Sequence, residues 1–170
     1  MAYLLKSIPA NCRAHGGFVW PTEPGAIVTA PDWDPTPECG GGLHGALNGA
    51  GNGALFCWDG RAVWIVAEII GDDIVDLGGK VKVRQCRIIV AGTREDATGY
   101  LAAQGMTGVI GGTATAGDRG TATAGDSGII SVKWYDVDGD RYRIAVGYVG
   151  EDGIEPDVAY RVNNGKLERA

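Results

Sequence analysis

The two histidines of the chain each follow a cysteine at short range, Cys12-x-x-His15 in "NCRAHGG" and Cys39-x4-His44 in "ECGGGLHG". Thiolate sulfur and imidazole nitrogen are the ligands a tetrahedral zinc takes in structural sites, so Cys12, His15, Cys39 and His44 together form a candidate zinc set. The second pair also admits a nucleophilic reading. Cys39 would be the attacking thiolate, His44 or His15 its base, and the amides of Gly40 to Gly42 the donors to an oxyanion. Spacing identifies no third residue to orient such a base. A structural reading leaves Cys12 and Cys39 as buried thiols and His44 as a hydrogen-bonded ring fixing the glycine loop. That loop lacks the preceding strand and the closing Lys-Ser/Thr of a phosphate cradle, so a turn is expected of it.

Two acidic stretches lie further along. "DVDGD", Asp136 to Asp140, has calcium-loop carboxylates without the length or the closing glutamate, and its Asp-Gly reads as a hairpin turn. "GEDGIEPD", Gly150 to Asp157, is a solvated loop that with Asp136, Asp138 and Asp140 forms an acidic face for a basic partner.

The elements that must position these residues are mostly strands. Twenty-nine glycines spread through 170 residues favour turns over long helices. Residues 18 to 53 are rich in proline and glycine, yet Trp20 and Trp33 are too apolar to stand in solvent, so this segment is expected to lie against a core. Within it, Leu43 to Asn48 is the one short helix expected. Beyond Ala54, "ALFCW" and "RAVWIVAEI" flank Asp59-Gly60 as a hairpin. Lys80, Lys82 and Arg84 alternate with Val81 and Val83 as a half-exposed strand. Thr93 caps a helix with Asp96 at its third position and Gly105 beyond its end. Ile129–Tyr135 with Arg141–Tyr148, and Ala159–Val162 with Lys166–Arg169, read as two hairpins.

Between the helix and these hairpins stands "GTATAGDRGTATAGDSG", Gly112 to Gly128, an octad written almost twice. Period two puts Thr113, Thr115, Thr121 and Thr123 on one face and Ala114, Ala116, Ala122 and Ala124 on the other. An alanine face cannot fill the ~10 Å between packed sheets. The strands must therefore wind into a narrow coil of two octads or lie against larger side chains supplied from elsewhere. The coil is the favoured expectation, and it requires capping on both sides because about three repeats are needed to sustain a stack. The resulting fold class is mainly β, α+β with little helix. A mixed β domain (1–108) carries a short parallel β-solenoid-like segment (109–128) capped by C-terminal β-hairpins (129–170).

The octad resembles the Ala-Thr-Ala-Gly repeat tracts of uncharacterised phage and bacterial proteins and, more distantly, the Thr-x-Thr solenoid of ice-nucleation proteins. "CGGGLHG" at Cys39 to Gly45, "VDLGGKV" at Val75 to Val81 and "RYRIAVGYVGEDGIEPDVAYRV" near the end are similar to the former set. That resemblance implies architecture and a phage or prophage setting, with no activity attached. Ice nucleation is not implied, because it uses many stacked coils and one coil offers four threonines.

Charge and composition narrow the function. A net charge of −6 with no Lys/Arg cluster longer than a pair argues against a phosphate-tracking groove, so no direct nucleic acid is expected. No apolar run has the ~18 residues of a membrane span, and a cytoplasmic location with reduced thiols is expected. The leading expectation is a non-enzymatic binding protein that engages a host protein or small molecule through Trp20, Trp33 and His44, inhibiting or sequestering a host defence component. The alternatives are an enzyme acting on a nucleotide-like substrate with His44 and Cys39, and a structural protein that self-associates through its solenoid edges.

Overall fold

A computed structural model describes residues 1–170 and divides into two compact units, Met1–Met106 and Thr107–Ala170. The first is a curled antiparallel sheet of seven strands. In chain order these are β1 (Tyr3–Ile8), β2 (Ile27–Thr29), β3 (Leu43–Leu47), β4 (Val63–Ile69), β5 (Ile74–Asp76), β6 (Val81–Val83) and β7 (Gln85–Gly92). Across the sheet they run β2-β7-β4-β1-β3-β6-β5. β1 and β4 lie at the centre, paired from Tyr3 opposite Glu68 to Ile8 opposite Val63. Their sequences, "YLLKSI" and "VWIVAEI", are correspondingly apolar on both faces.

The inner face gathers Leu4, Ile8, Leu43, Ile65, Val83 and Ile88 into one cluster, closed by Trp20 from the loop before β2. The other face carries α1 (Arg94–Ala103), which lies against β4 and β7 and buries Ala97 and Leu101. Its start is the capping box expected: the Thr93 hydroxyl accepts from the Asp96 amide, and the Asp96 carboxylate accepts from the Thr93 amide. Gly105 follows its end in the left-handed region, at φ +79°.

Three local expectations fail in this unit. Leu43–Leu47 is strand, because its backbone pairs with β1 on one side and β6 on the other, a long-range match that outweighs a short helical pattern. "ALFCW" does not form a hairpin with β4. Gly53–Leu55 is a single 3-10 turn capped by Asn52, and β4 takes β1 and β7 as neighbours. Lys82 is not half-exposed; it is 1% exposed, because the loop before β3 folds over it.

The second unit consists of two small sheets built from β8 (Thr113–Ala116), β9 (Ala122–Thr123), β10 (Ile129–Asp136), β11 (Arg141–Tyr148), β12 (Ala159–Asn163) and β13 (Lys166–Arg169). One runs β11-β10-β8 and the other β13-β12-β9. β8 packs beside β9, β10 beside β12 and β11 beside β13. Both C-terminal hairpins form at the positions expected.

The expected solenoid is not present. The two octads enter different sheets, and β9 pairs antiparallel with β12, so no stack of coils exists. The alanines meet their packing need by the other route: Ala122 and Ala124 are buried against Ile130, Val132 and Tyr160, which supply the missing volume. One trace of a coil is present. β8 and β10 pair in parallel, Thr113 opposite Ile129 through Ala116 opposite Val132, a constant offset of sixteen residues or two octads.

Candidate functional site

The first unit holds a cavity of about 460 Å³ lined by Lys6, His15, Trp20, Asp32, Gly40–Gly42 and His44. β3 delivers His44, opposite Lys82 on β6. β1 delivers Lys6, which the alternation of the strand turns to the face of Leu4 and Ile8. The glycine loop arrives from above. Gly41 adopts φ +55°, and a Cβ there would stand 2.7 Å from the Cβ of Asp34, so the loop closes only with glycine at this point. Lys82 fastens it from below, donating from Nζ to the carbonyls of Glu38 at 2.8 Å and Gly40 at 3.0 Å. A second, smaller cavity of about 100 Å³ is lined by Lys6, Ser7, His44, Phe56 and Lys80.

The electrostatics of the site follow from this clustering. The His44 imidazole is pushed down to about 4, first by burial and then by the positive charges of Lys80, Lys6 and Lys82, with Asp32 opposing. It is therefore neutral at pH 7, and its Nε2 is buried without a hydrogen-bond partner. A buried polar atom left unpaired costs on the order of 1–3 kcal/mol, which a ligand atom placed there would recover. Lys6 is lowered by burial and then by Lys80, and its ammonium makes no ion pair or hydrogen bond. Lys80 donates to the Cys39 sulfur at 3.0 Å. That bond, followed by the charge of Lys80 itself, lowers the Cys39 thiol.

The residues singled out by spacing are thus only partly brought together. His15, Trp20 and His44 line one cavity, whereas Trp33 packs on the core beside them. Trp20 is 3% exposed and lines the cavity wall. The Cys39–His44 dyad does not form, because the partner of Cys39 is Lys80. Cys39 is exposed and Cys12 half-buried, so neither is the buried thiol expected, and all four cysteines are free. No three His, Cys, Asp or Glu side chains converge as metal ligands, so the zinc set Cys12, His15, Cys39 and His44 is not assembled. The acidic stretches are turns: Asp136 accepts from the Gly139 amide and pairs with Arg143.

Sequence reasoning missed Lys6, Lys80 and Lys82. The signal was present for Lys6, a charge set at an inward position of an otherwise apolar strand.

No family model and no solved structure matches the chain. It is similar to ice nucleation proteins. The protein from Pseudomonas fluorescens is 33% identical over 101 residues, that from Xanthomonas campestris pv. translucens 31% over 101, and InaU of Pantoea ananas 27% over 100. Each match covers 58% of this chain and 8%, 6% and 10% of the respective relative, so the chain spans a tenth or less of the proteins it matches. The likeness is distant and partial. No helix of the chain is long and apolar enough to cross a membrane.

Proposed function

We propose that the first unit is a non-enzymatic binding module whose site is the His44 cavity, and that its ligand is a small polar molecule bearing an anionic group. The observation that carries this reading is the unpartnered, buried Nε2 of His44, with Lys6 lining the same cavity. An anionic group in the cavity would accept from the His44 Nε2–H tautomer and meet the positive charge of Lys6, and Asp32, which also lines the cavity, would accept a hydrogen bond from a donor elsewhere on the ligand. Lys6 on the cavity wall, with Lys80 and Lys82 close enough to depress the His44 imidazole, focuses positive potential within a chain of net charge −6. In the phage or prophage setting that the repeat tract resembles, such a module sequesters its ligand, or a host protein that presents the same group. An enzymatic role has less support, because Cys39 lacks a base and faces Lys80.

The test is calorimetric and NMR titration with inorganic phosphate and with a nucleoside monophosphate. Binding that shifts the His44 ring resonances, weakens at least tenfold in Lys6→Met and His44→Gln, and proceeds without turnover supports the module. Ring resonances that stay fixed with every anion, or turnover lost with Cys39→Ser, would overturn it. Lys6→Met should fold at least as well as the parent, since it replaces a half-buried, unpaired charge with an apolar side chain of similar length.

A second reading concerns the second unit. The sixteen-residue offset of β8 and β10, with the similarity to ice nucleation proteins, supports it as the terminal cap of an octad coil, its open β8 edge receiving a further coil. Ice nucleation by this chain is not part of the reading, since four threonines are too small a surface to order water.

A further inference from the structure

β11 is the outermost strand of its sheet, and no other strand covers its free edge. It is eight residues long, without proline or bulge, and its two charges, Arg141 and Arg143, both point to the inner face, which leaves its outward face uncharged. That face presents Tyr142, Ile144, Val146 and Tyr148, each between 51% and 65% exposed. Tyr135, opposite Tyr142 on β10, extends the row and is 41% exposed. Counting aromatic side chains at ~150–250 Å² each, the row exposes roughly 400–500 Å², as large as the largest apolar patch of an ordinary monomer, with the Lys133 ammonium of β10 lying over the Tyr142 ring at 3.9 Å.

The strand also matches itself. Read from either end, its outward residues are tyrosine, a branched aliphatic, a branched aliphatic, tyrosine. Two copies paired antiparallel about Ala145 place Tyr142 opposite the partner's Tyr148 and Ile144 opposite the partner's Val146. Every outward side chain stays on one face of a continuous six-stranded sheet. On the inner face the same register sets Arg143 opposite glycine, which leaves its ion pair with Asp136 undisturbed.

Charge fits this register too. Arg141 begins the strand without an ion pair, and Glu151 and Asp152, also unpaired and exposed, lie in the turn just beyond its end. Antiparallel pairing brings the basic start of each strand beside the acidic turn of the other, on both sides of the two-fold axis.

We propose that β11 is an interface between two copies of this chain, joined antiparallel edge to edge about Ala145. The interface differs from the octad edge at β8, which is four residues long and faces outward with threonines. Edge pairing of this length falls below the ~800 Å² per partner of a standard interface, so the dimer is concentration-dependent.

Sedimentation velocity from about 1 to 200 μM tests it on the full chain. The expected result is a monomer–dimer equilibrium that Ile144→Lys weakens at least tenfold. Because Ile144 is mostly solvent-exposed, thermal melts of that variant should match the parent. Arg141→Glu should weaken the dimer several-fold, and Arg141→Glu with Glu151→Arg should restore it, a rescue that depends on the antiparallel register. Thr115→Lys, on the octad edge, should leave the dimer unchanged. A monomer at every concentration overturns the proposal. So does a dimer that Thr115→Lys dissociates and Ile144→Lys does not, which would place self-association at β8.

Discussion

Lowering the pH from 7 to 4.5 should destabilise the first unit through His44. The ring binds its proton at about 4 in the folded chain against 6.5 for the free side chain. Between those values the unfolded chain holds a proton that the folded chain refuses, so stability rises with pH across the window. It is fully present above about 6.5 and lost as pH falls toward about 4. The difference of roughly 2.5 units corresponds to ~3.4 kcal/mol at 1.36 kcal/mol per unit. His44 is only partly buried, and solvent screening reduces the effect to about 1–2 kcal/mol. Urea unfolding followed by tryptophan fluorescence reads it, in a Trp134→Phe background so that the remaining tryptophans all belong to the first unit. The comparison is with His44→Gln, which keeps a polar side chain without a titrating ring. Asp34, Asp96 and Glu95 are held below the usual carboxylate range and also lose stabilisation in acid, but they do so equally in both proteins and cancel in the difference. Equal slopes of stability against pH for the two proteins between 4.5 and 6.5 would refute the assignment of a buried, lysine-flanked imidazole.

The hydrogen bond from Lys80 should make Cys39 the first thiol to react with iodoacetamide near neutral pH, with Lys80→Met slowing it several-fold by peptide mass mapping. Cys86, fully buried and pushed up to about 12, should remain unmodified until the unit unfolds. Inserting one more pair of octads, sixteen residues long, before Gly112 should give a second unit that still melts cooperatively and gains strand signal in circular dichroism. A twelve-residue insertion breaks the sixteen-residue offset and should abolish cooperative melting.

The sequence signals that proved reliable were those that act locally. The capping box at Thr93 and the two C-terminal hairpins depend on residues a few positions apart, and each formed where its turn chemistry specified. Leu43 to Leu47 depends instead on β1, about forty residues earlier, and on β6, about forty residues later. A helical pattern of five residues has no weight against two ladders of backbone hydrogen bonds. The octads show the same division. Their two-residue alternation and alanine face were readable, and so was the sixteen-residue spacing of the strands. Their separation into two sheets was not, because Ile130, Val132 and Tyr160 fill the space over the alanines and remove the need for a stack.

The site was half legible for a related reason. His15, Trp20 and His44 attract notice by residue type, and the fold brings them to one cavity, but type also suggested a zinc set and a cysteine–histidine dyad that the fold does not build. What gives the site its character is Lys6, Lys80 and Lys82, three of the commonest surface residues. Nothing marks a lysine as interior except its phase within a strand, and Lys6 carries that mark in "YLLKSI", where the pattern requires an apolar side chain. Lys6 is half-buried and its ammonium has no acceptor, so methionine at this position should cost no stability. Under the proposed function the position is held for a ligand, since Lys6 and the unpartnered His44 line one cavity. Lys6→Met therefore separates the two roles of the position, since a structural lysine would cost stability on removal and a binding lysine would cost only affinity.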